Sequence, residues 1–160
     1  MAHASIQRIV VGYDYSPISD LALTKAFEMA ASAGNTEVHV AHVVMLGDHA
    51  GAGVAGVPVH PTTSLDASLA TLQDRVKSVL AEWSKQTGNT LDLVHSHIRV
   101  DAPAGEIAQL ASDLEAKMVV IGTHGRRGLK RFLLGSVAEG VVRMAHCAVL
   151  VVRPEEAKAE

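Results

Sequence analysis

At 160 residues with 48% hydrophobic side chains, the chain is long enough for one domain with a real core. A formal charge of −3 removes any general attraction for nucleic acid or anionic membrane, so no polyanionic polymer is expected as a partner. One cysteine, Cys147, excludes an internal disulfide, and no charged start followed by a long apolar run resembles a signal or spanning segment, so the expected setting is the cytoplasm.

Apolar runs alternate with helical patterns along the chain. Ile6 to Tyr13, rich in Ile and Val, reads as a first strand. Pro17 to Ala33 reads as a helix with Ser16 as N-cap, Pro17 at its first position and Gly34 as its stop. A second strand runs from about Glu37 to Val44. On it His39 and His42 fall on opposite faces, cannot chelate together and read as ordinary strand residues. The segment from Met45 to Thr63 carries Gly47, Gly51, Gly53, Gly56, Pro58 and Pro61 and reads as a disordered insertion.

Leu65, Leu69, Leu72, Val76, Val79, Leu80 and Trp83 then recur at three- and four-residue steps, giving a long second helix with one apolar stripe toward the sheet, ended by Gly88. A third strand spans about Leu91 to Val100. His95 and His97 share a face of it, but no Cys, Asp or Glu at tetrahedral spacing accompanies them, and the expectation is against a metal there. A third helix spans about Pro103 to Leu114, a fourth strand Lys117 to Ile121, a fourth helix Val137 to Ala145 and a fifth strand Ala148 to Val152. Cys147 reads as a small buried hydrophobe leading into that strand. Residues 1–154 are expected to form one domain, with 155–160 a frayed tail. Strands separated by helices favour a parallel sheet with helices on both faces, although the residues alone do not set strand order.

The chemistry concentrates in GTHGRRGLKRFLLGSV, from Gly122 to Val137, which follows an apolar β-branched strand and runs into a helix. Ligands in parallel α/β sheets collect outside the carboxyl ends of the strands, and glycine there lets an anion approach the main-chain N–H groups. Ser136-Val137-Ala138-Glu139 matches a capping box, which predicts Ser136 as the N-cap of the fourth helix. Arg126, Arg127, Lys130 and Arg131 add positive charge. The pattern lacks G-x-x-x-x-G-K-[ST], which argues against a P-loop hydrolase. The first strand ends Val11-Gly12-Tyr13-Asp14 without G-x-G-x-x-G, which argues against a dinucleotide-binding Rossmann domain.

Gly122-x-x-Gly125, nine residues, then Gly135-Ser136 resembles the glycine motif of the ATP-binding branch of the universal stress protein family. The resemblance extends to Ile9 through Ser16 as a first strand, His42-Val43 as the end of the second, and Ala148 to Arg153 as the last. It implies a Rossmann-like five-stranded parallel sheet of order 3-2-1-4-5, with Asp14 brought beside the Gly122 loop. It also implies an adenine-nucleotide site. Asp14, next to Gly12, would contact the ribose or a phosphate-bound Mg2+; Val43 would line the adenine slot; Gly122, Gly125, Gly135 and Ser136 would hold ribose and phosphates, with His124, Arg126 and Val137 adjacent. ATP is the nucleotide so implied, and the Met45 to Thr63 segment becomes a possible lid.

Each assignment has a plainer alternative. Asp14 can simply hydrogen-bond the strand-to-helix turn, Ser136 can simply cap, Val43 can pack in the core, and His124 can be a solvent-exposed loop residue. The glycines can serve tight turns alone. The last strand would be an exposed apolar edge in the implied order, and pairing with its copy in a homodimer would cover it. The expectation is therefore a homodimeric, cytoplasmic stress-response module whose nucleotide state alters its association with protein partners the sequence does not identify. The alternatives are a slow Mg-dependent ATP hydrolase, for which no dedicated general base is evident, and an interaction protein without nucleotide.

Overall fold

A computed structural model describes residues 6–45, 64–123 and 134–154. In chain order the elements are β1 (Gln7–Gly12), α1 (Pro17–Ala33), β2 (Thr36–Val44), α2 (Leu65–Thr87), β3 (Val94–Val100), α3 (Pro103–Asp113), β4 (Met118–Gly122), α4 (Ser136–Met144) and β5 (Ala148–Val152). They form one five-stranded sheet of order β3-β2-β1-β4-β5, every pairing parallel. This is the order the family resemblance implied. The insertion at 46–63 and the tail at 155–160 lie outside the described residues.

Alternation along each strand divides the core between two faces. Ile9, Val11, Val38, Val40 and Val120 pack against α1 and α2 through Leu23, Phe27, Leu72, Val76 and Trp83. Val10, Ala41, Val119 and Ile121 pack against α3 and α4 through Ile107, Leu110, Ala138 and Val141. Because both faces are covered, the central strands read as continuous apolar runs. The stripe on α2 is buried only in its later part: Leu72, Val76 and Trp83 are inside, Val79 and Leu80 are partly covered, and Leu65 is exposed.

The helix ends follow local chemistry. Ser16 Oγ accepts from Ser19 N at 3.2 Å and Pro17 opens α1, while Gly34 (φ 64°) ends it. Gly88 takes the left-handed conformation (φ 72°, ψ 3°) that closes α2. The third strand starts at Val94, later than its composition indicates, because the ladder begins only where Val38 N meets the Leu93 carbonyl at 2.9 Å.

Helix α4 approaches α3 at Gly140, where a Cβ would stand 2.6 Å from the Ala104 Cβ. Both would be Cβ atoms, whose positions the helix backbones fix, so neither could swing away. Gly140→Ala should gain up to about 1 kcal/mol in helix propensity yet lose more by separating the helices, for a net destabilisation of about 1–2 kcal/mol. Urea unfolding of the variant checks this; a stabilised variant would mean the helices can part freely.

Candidate functional site

The carboxyl ends of β1 and β4 lie side by side, and the helices that follow them, α1 and α4, lie on opposite faces of the sheet. From β1 it turns through Tyr13, Asp14 and Tyr15 into α1. Asp14 Oδ1 accepts from Ser16 N at 3.0 Å and also from the Ser16 hydroxyl, while Tyr15 takes a positive φ of 65°. Asp14 Oδ1 therefore closes an Asx-type turn and braces the residue that caps α1, as the plainer reading has it. The same turn places Asp14 just beyond the end of β1.

From β4 the chain leaves through Gly122 and Thr123, and it re-enters the described structure at Leu134. The Gly135 N–H donates to the Thr123 carbonyl at 2.6 Å, tying the start of α4 to the end of β4. Three of the anticipated site residues, His124, Gly125 and Arg126, belong to the intervening segment and lie outside the described residues.

The capping expectation needs correction at this point. Gly135, not Ser136, is the N-cap: it has extended geometry (φ −64°, ψ 154°), and Ser136 is already the first helical residue. The bond to Thr123 holds Gly135 out of the helix, and Glu139 pairs forward with Arg143 at 2.9 Å instead of reaching back. Among the described residues no side chain caps the start of α4. Its first-turn N–H groups, those of Ser136 and Val137 among them, are thus presented at the carboxyl end of β4, where a helix N-terminus favours negative charge.

Two motif glycines have a packing reason that the sequence reading did not include. A Cβ at Gly122 would stand 2.9 Å from Ile18 Cγ1, and one at Gly12 would stand 2.9 Å from Ile107 Cδ1. These glycines let α1 and α3 close on the strand ends that frame the crevice. Val43, near the end of β2, is partly buried against the α3 and α4 cluster. On the other face, the His42 ring lies edge-on to Tyr15 with centroids 4.8 Å apart. Its Nδ1 donates to the Tyr13 carbonyl at 2.9 Å, which fixes the tautomer because a carbonyl only accepts.

Tyr13 itself is buried. Its hydroxyl donates to Asp20 and accepts from Arg75 Nε at 3.1 Å, and Arg75 also pairs with Asp20, so α2 is clamped to the turn between β1 and α1. Burial, followed by Asp20, raises the phenol well above its ordinary range. The group is a neutral structural hydroxyl and offers no base.

A second polar group lies on the α3 face, toward the amino ends of β2 and β3. Parallel register sets His39 opposite His95. His39 Nδ1 is 2.9 Å from His97 Nε2, His39 Nε2 is 3.3 Å from Glu37 Oε2, and the His39 and His95 rings stack with centroids 4.7 Å apart. The reading of these histidines as separate strand residues missed a cluster assembled across two strands. The signal was present as Glu37-x-His39 and His95-x-His97, but it takes the register to join them.

Comparison with known proteins agrees with this architecture. The universal stress protein family matches residues 5–153. A universal stress protein of Methanocaldococcus jannaschii is 33% identical over 152 residues, covering 92% of this chain and 82% of the relative. The chain spans about half the length of the mycobacterial universal stress proteins it matches. Among solved structures, a universal stress protein in complex with cAMP has a TM-score of 0.62 at 26% identity, covering 94% of this chain and 98% of its own. One from Archaeoglobus fulgidus in complex with dAMP has a TM-score of 0.58 at 22% identity, covering 92% and 98%.

The histidine cluster makes stability depend on pH. Burial, with His39, His95 and Arg99 nearby, pushes His97 from its ordinary 6.5 down to about 4, and burial also lowers His39. Glu37 faces His39, while Asp113 and Glu106 on α3 face Arg99. Between pH 6.5 and about 4 the unfolded chain binds the His97 proton and the folded chain does not, so stability should fall as pH drops through that window. His97→Gln should flatten the fall. Denaturant midpoints measured across pH 4–7 check it, and an unchanged slope would contradict the assignment.

Proposed function

The chain belongs to the universal stress protein family, and from that premise we propose that it is an adenine-nucleotide-binding module. In this reading the phosphates lie against the first turn of α4 at Gly135, Ser136 and Val137, and the nucleoside lies across the carboxyl ends of β1 and β2 between Asp14 and Val43. The observation that carries the reading is the first turn of α4, which has a glycine as its N-cap and is tied to the end of β4 beside β1. Such an N-terminus favours an anion by roughly 0.3–1 kcal/mol, and by up to ~2 when partly buried. The relatives solved with cAMP and dAMP support adenine as the base.

ATP is the preferred nucleotide in this proposal because Arg126, Arg127, Lys130 and Arg131 follow the end of β4 in sequence and match a greater phosphate charge. Asp14 would meet a nucleotide-bound Mg2+ at the carboxyl end of β1. Binding, not turnover, is the function proposed, with nucleotide state altering association with other proteins. A homodimer through β5 fits the same scheme: the strand ends the sheet, and α4, which leads into it, exposes Val142 and Met144.

Thermal unfolding of nucleotide-free protein with ATP, ADP, AMP and GTP, with and without Mg2+, tests the proposal. A ligand at ~100 times its Kd should add about 2.7 kcal/mol. An adenine-selective shift is expected, and no shift with any adenine nucleotide would overturn it. Ser136→Asp should preserve or slightly raise stability, since a carboxylate at the first helical position suits the helix N-terminus, while weakening ATP by roughly tenfold or more through repulsion. Unchanged affinity would mean that phosphate sits elsewhere.

A further inference from the structure

The cluster on β2 and β3 plays no part in the nucleotide reading and lies toward the opposite end of the strands. Glu37, His39, His95 and His97 share one sheet face because side chains alternate and His39 is in register with His95. We propose that Glu37, His39 and His95 form a binding site for a divalent transition ion of the zinc class, with His97 and Arg8 positioning the ligands.

Geometry supports this first. One ligand atom from each of Glu37, His39 and His95 lies within 4.8 Å of the other two. Bonds of about 2.0–2.2 Å to a tetrahedral ion require ligand atoms roughly 3.3–3.5 Å apart. His39 Nε2 and Glu37 Oε2, at 3.3 Å, already meet that requirement. His95 is exposed on the edge strand, so rotation of its ring can close the third contact without disturbing the core.

The surrounding contacts have the form that metal ligands need. His39 is buried and its Nδ1 faces His97 Nε2 at 2.9 Å. With the proton on Nδ1 and donated to His97, the Nε2 lone pair is directed at the Glu37 side, which is how a supporting hydrogen bond sets the tautomer of a metal-bound imidazole. Arg8 Nε, 2.7 Å from the same Glu37 Oε2, fixes the carboxylate and uses one lone pair of that oxygen, which keeps another for the ion. Two imidazoles and one carboxylate suit zinc-class ions over Mg2+ or Ca2+, which take oxygen ligands. The exposed side of His95 leaves the fourth position to water.

The bland account is a polar cluster that satisfies itself, with Arg8 neutralising Glu37. That account predicts no ion. It also leaves unused the convergence of three ligand-type side chains from two strands beside an open edge.

Titration of the metal-free full-length chain with Co2+, followed by visible absorption, and then with Zn2+ as competitor decides between them. The expected result is one ion per chain that Zn2+ displaces, at equal affinity in His146→Asn, which changes an exposed histidine elsewhere. Affinity should drop at least ~10-fold in both His95→Asn and Glu37→Gln. His95 lies at the surface, and glutamine retains hydrogen bonding toward Arg8 and His39, so circular dichroism should report folded variants. His97→Gln, whose amide oxygen can still accept from His39, should bind better than His97→Leu. Absence of binding, or equal affinity in wild type, His95→Asn and Glu37→Gln, would overturn the site. Nucleotide binding should be the same in all these variants.

Discussion

Parallel pairing of β1 on both of its edges is the constraint from which the rest of the structure follows. Crossovers between parallel strands are right-handed, so the steps from β1 to β2 to β3 place α1 and α2 on one face. The chain must then cross β1 to reach β4, and this reversed direction puts α3 and α4 on the other face. After the β1 and β4 ends, α1 and α4 lie on opposite faces, and among the described residues no helix bridges the two ends. Topology favours a crevice at that point, and the turn carrying Asp14 and the first turn of α4 both follow from those strand ends.

Close packing shapes the crevice. Gly122 admits Ile18 of α1, Gly12 admits Ile107 of α3, and Gly140 admits Ala104. Each missing Cβ brings a helix nearer to a strand end or to its neighbour, so the walls are set by the core behind them. The Tyr13, Asp20 and Arg75 cluster does the same on the α2 side, joining three elements through one buried hydroxyl. Gly12 and Gly122, which read as ligand contacts in the sequence, thus have a packing reason to be small.

Most of the architecture was legible because its signals are local. Pro17 after Ser16, the stops at Gly34 and Gly88, and the run Ala148 to Val152 place their elements to the residue. Strand order was not legible from pattern alone, since β-branched runs carry no neighbour information; family resemblance supplied it. Ser136 was misplaced by one position because the capping box is a local rule, whereas Gly135 is held by Thr123, 12 residues earlier in the chain. The histidine cluster was missed for the same reason: its members are far apart in sequence and meet only through the register of β2 with β3. Of the anticipated nucleotide residues, Gly12, Asp14, Val43, Gly122, Gly135, Ser136 and Val137 fall at or beside the carboxyl ends of β1, β2 and β4 and the start of α4.

The central claim is that the first turn of α4 receives the phosphates of an adenine nucleotide. Amide chemical shifts of Ser136 and Val137, followed by 1H–15N NMR as ATP is titrated into nucleotide-free protein, address it at the atoms concerned. The account predicts large shifts at both amides that saturate together with those of Asp14, while Glu37 and His95 stay unmoved. Saturable binding that leaves Ser136 and Val137 unshifted would contradict it.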